Sequence, residues 1–124
     1  RFLNDERVLV AECFAFLWEA DASVIVVDID GTITKSDVTG LLMTLTPGLN
    51  DHTHEGICSM LNRISTKVKG AKLVYLTSRP IILAPKTRAF LTSMKQGGQT
   101  LPLAPLMCSL EGVTGVLWRE VGEK

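Results

Sequence analysis

One stretch constrains the fold of this chain more than any other: four apolar residues at 24–27 run directly into two aspartates, Asp28 and Asp30. The apolar run is too short for a helix and lacks polar alternation, so it predicts a strand buried on both faces. The aspartates then lie where a parallel strand ends, which is the edge at which open α/β sheets bind ligands. Gly31 lets the backbone turn sharply beside such a ligand. Because two carboxylates this close need a compensating cation or shared proton, the pattern favours a site that binds a metal ion and attacks phosphorus.

The aspartate and glycine motif is also compatible with two other kinds of structure, a turn and a calcium-binding loop. Aspartate and glycine favour turns, so the motif also fits a purely structural turn. An EF-hand calcium loop needs glycine at its sixth position and glutamate at its twelfth, whereas Gly31 is fourth counting from Asp28 and Thr39 is twelfth. The EF-hand is therefore excluded, and the buried strand directly before the motif favours a catalytic site over a turn.

The composition is that of a globular domain. The 124 residues are 46% hydrophobic and 21% charged, which fits one soluble domain, and no apolar run approaches the roughly 18 residues of a membrane-spanning helix. The 13 basic and 13 acidic residues balance without a basic block, so no direct nucleic-acid binding is expected. Cys13, Cys58 and Cys108 are far apart in apolar contexts, which predicts buried reduced thiols and a reducing compartment.

The remaining apolar patterns alternate between helix and strand. The clearest helix spans residues 53–68, with Thr53 as candidate N-cap, and a second buried strand follows at 73–77. The other predicted elements are extended segments within 7–18, a short helix at 38–45, a helix at 86–95 begun by Pro85 and ended by Gly97-Gly98, an imperfect strand at 101–107 and a helix at 113–121. This order predicts an α/β fold around a parallel sheet.

A second polar group follows the second predicted strand. Thr77, Ser78 and Arg79 end that strand as Asp28 ends the first, and parallel neighbours would bring the two groups within about 5–10 Å. A hydroxyl and a guanidinium beside two carboxylates suit a phosphate lying between them, since arginine binds phosphate in a bidentate manner. The alternative is that Thr77 merely ends the strand and Arg79 is solvated. The Asp-His-Thr-His-Glu run at 51–55 is a polar helix start rather than a metal site, because residues two apart do not share a helix face.

The sequence Asp-Ile-Asp-Gly-Thr at 28–32 resembles the first motif, Asp-x-Asp-x-Thr, of the haloacid dehalogenase superfamily. Longer matches are similar to the C-terminal catalytic (LNS2-type) region of the lipin family of magnesium-dependent phosphatidate phosphatases, at residues 28–37, 53–56, 87–88, 101–105 and 119–121. This resemblance covers almost the whole chain from about Cys13. It implies an incomplete Rossmann-like haloacid dehalogenase core at 21–124, preceded at 1–20 by a β segment like the end of a small β-sandwich.

The resemblance also implies a role for each site residue. Asp28 would be the nucleophile that forms an aspartyl-phosphate, and Asp30 the general acid and base. The Asp28 carboxylate and the Asp30 carbonyl would hold Mg²⁺. The phosphate would be bound by Thr32, Thr77, Ser78 and Arg79.

Further expectations concern the whole protein. The third-motif lysine and fourth-motif aspartate of the superfamily would lie beyond Lys124, so residues 1–124 alone are expected to be inactive. The resemblance implies phosphatidate as a membrane-lipid substrate, peripheral contact with the endoplasmic reticulum membrane, and a cytoplasmic or also nuclear location. Two alternatives stay open: a non-catalytic phosphatidate-binding module, and a phosphatase for a soluble phosphomonoester.

Overall fold

The computed structural model describes residues 2–6, 8–11, 13–35 and 53–110. Its elements, in chain order, are β1 (Phe2–Leu3), β2 (Leu9–Ala11), β3 (Ser23–Asp28), α1 (Ile57–Lys67), β4 (Ala71–Pro80), a 3₁₀ turn (Ile81–Leu83), α2 (Ala84–Ser93), β5 (Lys95–Gln96), β6 (Gln99–Thr100) and β7 (Leu106–Ser109). None of the helices in this part of the chain has the length and apolar character needed to span a bilayer.

A three-stranded parallel sheet in the order β3-β4-β7 carries the fold. β3 and β4 pair without interruption, which places Asp28 beside Leu76. On the other side of β4, Tyr75 pairs with Leu106 and Pro80 with Ser109. The predicted α/β fold is confirmed: a parallel sheet with two helices, consistent with a partial haloacid dehalogenase-like core.

The hydrophobic core lies on one face of this sheet. It joins Val27 of β3 and Leu73 of β4 to Leu61 of α1 and Leu91 of α2. Burial of each such side chain contributes about 1.5–3 kcal/mol, so the core fixes the strand ends from which the polar residues emerge.

The prediction that β3 is buried on both faces is wrong. Val27 is buried, but Val24 and Val26 are 51% and 57% exposed. Successive side chains of a strand point to opposite faces, and both α1 and α2 join the core on the Val27 face. The exposure on the opposite face belongs to β3, because Val74 of β4, the register partner of Val26, is buried.

Only part of the segment before β3, which was predicted to be extended, forms a strand. A strand forms at Leu9–Ala11, but residues 13–19 belong to no strand. Cys13, Phe14 and Phe16 instead line a groove with residues of α2. Cys13 is exposed, contrary to its predicted burial, while Cys58 is buried, Cys108 is half-buried, and all three are free thiols. Within the described residues, no strand pairs with residues 13–19.

The start of α1 corrects the predicted N-cap. The helix begins at Ile57, not after Thr53, and its N-cap is Gly56 with φ of 82°. Thr53 pairs with Thr34 in an isolated antiparallel bridge, and the His54 N–H donates to the Ile33 carbonyl at 3.0 Å. Residues 53–56 therefore pack against the loop that follows β3 instead of extending the helix.

A small hairpin was missed by the pattern analysis. α2 ends at Ser93, and Gly97 and Gly98 form the turn between β5 and β6, with φ of 55° and 79°. Two-residue hairpin turns with positive φ at both positions favour glycine. The third strand starts only at Leu106, although the Pro105 carbonyl already accepts the Tyr75 N–H at 2.8 Å, and Pro105 has no N–H to donate in return. The predicted helices at 38–45 and 113–121 lie outside the described residues.

Candidate active site

The two aspartates of the motif lie at the end of β3 and in the tight turn after it. Asp28 is the last strand residue, and Asp30 begins the turn. The N–H groups of Ile33 and Thr34 both donate to the Ile29 carbonyl at 2.9 Å, which closes the turn. Gly31 has φ of 86°, a conformation that a side chain would strain. The turn therefore directs the two carboxylates to different surroundings.

Asp30 is held from the neighbouring strand. The Thr77 hydroxyl donates to its Oδ2 at 2.6 Å, and Arg79 donates to its Oδ1 through Nε at 3.0 Å and Nη2 at 2.6 Å. The Arg79 and Asp30 side chains are only 2% and 8% exposed. Both oxygens of the Asp30 carboxylate are thus engaged by β4 in a nearly dry environment.

The alternation of β4 selects which of its polar residues reach Asp30. Thr77 and Arg79 are buried, whereas Ser78 between them is exposed. The Thr77 hydroxyl also accepts the Arg79 N–H at 3.1 Å, so its donor and an acceptor position are both in use. The predicted proximity of the two strand ends is confirmed for Thr77 and Arg79, but Ser78 does not join the cluster around Asp30.

Asp28 has a more open environment than Asp30. Its side chain is exposed at the strand end, and the Thr32 hydroxyl donates to its Oδ2 at 3.4 Å. A carboxylate that faces solvent can meet an incoming phosphate, while one clamped between Thr77 and Arg79 cannot move freely. The structure therefore gives the two aspartates distinct positions, although they are separated by a single residue.

One donor nitrogen of Arg79 has no hydrogen-bond partner among the described residues. Its Nη1 is buried and makes no hydrogen bond, while the guanidinium lies 5.9 Å from the centre of the Phe90 ring. Buried donors are nearly always satisfied by protein, water or a ligand. Thr87 Oγ1, one helical turn before Phe90, is the other buried atom in the described residues without a hydrogen-bond partner. The interior behind Asp30 therefore contains two buried polar atoms that have no hydrogen-bond partner among the described residues.

The oxygen ligands at this strand end fit a hard cation in part. Mg²⁺ is held in proteins by one or two carboxylates, with waters and substrate phosphate oxygens completing the shell. The exposed Asp28 carboxylate suits this role, and the Asp30 carbonyl accepts no backbone hydrogen bond from the described residues. The described residues contain no cluster of three acidic, histidine or cysteine side chains. Asp28 and the Asp30 carbonyl are therefore a partial ligand set.

A supporting network behind the turn was not anticipated from the sequence. The buried Thr34 hydroxyl donates to the Ile29 carbonyl at 3.2 Å and accepts the Gly31 N–H at 3.3 Å. Gln96 of the hairpin donates to the Thr53 hydroxyl at 3.1 Å and to the His54 carbonyl at 2.9 Å. The Gly97-Gly98 pair was the available signal, because it predicts the hairpin that presents Gln96.

Burial changes the acidity of three groups near the core. It raises the pKa of Tyr75, whose hydroxyl donates to the Pro102 carbonyl at 2.7 Å, and the nearby Cys58 thiol raises it further. Burial also raises the pKa of Cys58, offset in part by a hydrogen bond with Gln96. It raises the pKa of Cys108 as well, although two nearby arginines oppose the shift. These groups stay protonated at neutral pH.

The chain is similar in sequence to one family of known proteins. The family model described as LNS2 (Lipin/Ned1/Smp2) matches residues 3–124. The chain is 39% identical to phosphatidate phosphatase PAH1 of Arabidopsis thaliana over 98% of its own length and 13% of that protein. It is 41% identical to phosphatidate phosphatase LPIN1 of Homo sapiens over 88% of its length and 12% of that protein. Phosphatidic acid phosphohydrolase 1 of Saccharomyces cerevisiae is 35% identical over 98% of the chain and 14% of that protein. The chain thus spans a small part of these relatives.

Proposed function

The chain belongs to the LNS2 (Lipin/Ned1/Smp2) family, and on that premise we propose that it carries the reaction centre of a phosphatidate phosphatase. The reaction is hydrolysis of phosphatidate to diacylglycerol and phosphate. The observation that carries the proposal is the different placement of the two aspartates. Asp28 is exposed at the strand end, while Asp30 is held from β4 by Thr77 and Arg79.

In the first step, an Asp28 carboxylate oxygen attacks the phosphorus of the substrate. The bond between phosphorus and the diacylglycerol oxygen breaks, and the leaving oxygen takes a proton from the Asp30 carboxyl group. The product at this stage is an aspartyl-phosphate on Asp28. The exposed position of Asp28 supports this role, since the attacking oxygen must reach a substrate that arrives from solvent or from a membrane.

In the second step, the Asp30 carboxylate takes a proton from water, and the water oxygen attacks the same phosphorus atom. The bond to Asp28 breaks, which restores its carboxylate and releases phosphate. The Asp28 carboxylate and Asp30 carbonyl would hold Mg²⁺, which would offset the charge repulsion between carboxylate and phosphate. The Thr32 hydroxyl donates its one proton to Asp28 at 3.4 Å, so we propose that it turns from Asp28 to a phosphoryl oxygen when the substrate binds.

Thr77 and Arg79 have two competing tasks in this scheme. The Thr77 hydroxyl has one proton, which it gives to Asp30, so donation to a phosphoryl oxygen requires it to leave that carboxylate. Arg79 gives Nε and Nη2 to Asp30, and its Nη1 is buried, so donation to a phosphate would require the guanidinium to move. We therefore propose that Thr77 and Arg79 orient Asp30. Ser78 remains a weaker candidate because it lies on the other face of β4.

The test compares Asp28→Asn and Asp30→Asn in the full-length protein. Asp28→Asn removes the attacking carboxylate, and we expect phosphatidate turnover to fall by more than roughly 10³-fold. Asp30→Asn removes the proton donor, and a loss of about 10²–10⁴-fold is expected. The loss for Asp30→Asn should be smaller on p-nitrophenyl phosphate, whose leaving group needs little protonation.

The matched control is Asp21→Asn, an exposed aspartate in the turn before β3, at the opposite end of the strand. This variant should retain wild-type turnover. Phosphatase activity of Asp28→Asn within tenfold of wild type would overturn the assignment of the nucleophile.

One observation favours a second candidate, a non-catalytic phosphatidate-binding module. Both Asp30 oxygens accept hydrogen bonds from β4, so the leaving oxygen of a substrate would have to displace one of these donors to reach the carboxyl group. Phosphatidate binding by the wild-type protein, with no phosphate release in the presence of Mg²⁺, would support this candidate. Under either function, we propose that the protein is cytoplasmic and binds peripherally to the surface of the endoplasmic reticulum membrane.

A further inference from the structure

Three large aliphatic side chains are exposed where the sheet presents its polar site. Ile81, Ile82 and Leu110 are 55%, 74% and 87% exposed. Ile81 and Ile82 directly follow β4, and Leu110 directly follows β7. We name these three residues the aliphatic rim.

The strand register brings the members of the aliphatic rim together. Pro80 at the end of β4 pairs with Ser109 at the end of β7, so the next residue of each strand, Ile81 and Leu110, continues from the same point of the sheet edge. The 3₁₀ turn then presents Ile82, which is more exposed than Ile81. Exposed aliphatic residues that adjoin one another are less common on soluble surfaces than single ones and often mark a contact site.

The aliphatic rim adjoins the candidate active site. Arg79, which donates to Asp30 at 2.6 Å, is two residues before Ile81. β4 continues four residues beyond Leu76, the partner of Asp28 at the end of β3, and Arg79 in this extension donates back to Asp30. The Arg79–Asp30 bond therefore connects the end of β4, which Ile81 directly follows, to the turn that carries the candidate site.

The charge on the same segment complements an anionic lipid surface. Lys86 is exposed in the first turn of α2, four residues after Ile82. A lysine near exposed aliphatic side chains can contact a lipid phosphate while the aliphatic groups enter the apolar layer.

We propose that the aliphatic rim inserts into the surface of a phosphatidate-containing bilayer and holds the active site against the lipid headgroup. This inference rests on the proposed function, because the lipid is the substrate. It adds that the chain itself supplies a membrane contact beside the reaction centre.

The test measures vesicle binding and hydrolysis separately in the full-length protein. Binding is measured by co-sedimentation with phosphatidylcholine vesicles that contain phosphatidate, in the Asp28→Asn background so that the lipid is not consumed. Ile82→Ser and Leu110→Ser should each weaken binding roughly tenfold, because burial of one such side chain is worth at least about one factor of ten in affinity. Ile82→Leu should restore binding.

Hydrolysis is then compared on two substrates with Asp28 intact. Ile82→Ser should lower turnover of phosphatidate in vesicles. Turnover of p-nitrophenyl phosphate should stay at the wild-type value, because the Ile82 side chain is 74% exposed and its replacement leaves the packing of the site unchanged. The matched control is Leu17→Ser, a 98% exposed leucine that precedes the amino end of β3. This control should change neither binding nor hydrolysis.

Each outcome separates the two proposals. Vesicle binding that is unchanged in Ile82→Ser and Leu110→Ser overturns the aliphatic rim, whether or not the protein is a phosphatase. An equal fall of both hydrolysis rates in Ile82→Ser also overturns it, because the residue would then support the fold of the site. Rim-dependent binding by a wild-type protein that releases no phosphate overturns the proposed reaction and leaves the membrane contact standing.

Discussion

Replacement of Arg79 by methionine is the sharpest test of how the site is built. Methionine has a similar length but donates no hydrogen bonds, so Arg79→Met leaves Asp30 8% exposed with the Thr77 hydroxyl as its one remaining side-chain donor. Removal of one partner from a buried ion pair costs about 3–5 kcal/mol, since the other charge stays buried without compensation. We therefore expect the free energy of unfolding to fall by about 3–5 kcal/mol, a large fraction of the stability of a small domain.

The measurement is urea-induced unfolding at neutral pH, followed by tryptophan fluorescence. Arg63→Met is the matched control, because Arg63 is exposed on α1 and its replacement should change stability by less than about 0.5 kcal/mol. The double variant Asp30→Asn/Arg79→Met should be more stable than the sum of the single losses predicts, since neither charge is then stranded. A loss below about 1 kcal/mol for Arg79→Met would refute the buried pair.

Three further predictions address other parts of the molecule. Thr77→Ala should lower kcat on phosphatidate by roughly 10²-fold, because it removes the hydroxyl that orients Asp30 and with it part of the roughly 10²–10⁴-fold that a general acid and base contributes, while Thr77→Ser should recover most of the rate; an unchanged kcat in Thr77→Ala would remove Thr77 from the site. Because burial raises the pKa of Tyr75 above its usual 10, the stability that this residue contributes is complete below pH 10 and is lost as the pH rises further. Urea titrations should show a steeper alkaline loss for the wild type than for Tyr75→Phe, and parallel curves would contradict the shift. A thiol reagent at neutral pH should label the exposed Cys13 first and leave the buried Cys58 protected until unfolding, and equal labelling rates in the native protein would count against the burial of Cys58.

The sequence predicts the sheet and the meeting of its strand ends, but not the contacts made there. Apolar runs identify β3 and β4, and parallel pairing then brings Asp30 close to Thr77 and Arg79, as observed. The sequence pattern does not predict that Arg79 donates two hydrogen bonds to Asp30, since a guanidinium can bind a carboxylate as well as a phosphate.

The errors share a physical cause. The exposure of Val24 and Val26 depends on where both helices pack, which a run of valines does not encode. Thr53 has the right chemistry for an N-cap, yet its backbone pairs with Thr34 because the turn after β3 lies beside it. In each case, tertiary contacts override a local preference. The catalytic, phosphate-binding and metal-binding roles of the site residues remain predictions.

The parallel pairing of β3 with β4 has a consequence for folding. Asp30 lies 47 residues before Thr77 and 49 before Arg79 in the chain, so the bonds that define the site form only after a long loop has closed. Closing a loop of this length lowers the chain entropy before any stabilising contact forms, so such contacts form slowly. The site therefore cannot assemble locally as a hairpin does. Its geometry and the global folded state are gained and lost together, so we expect the backbone amides that hold Asp30 and Arg79 in place to exchange with solvent only through whole-domain unfolding.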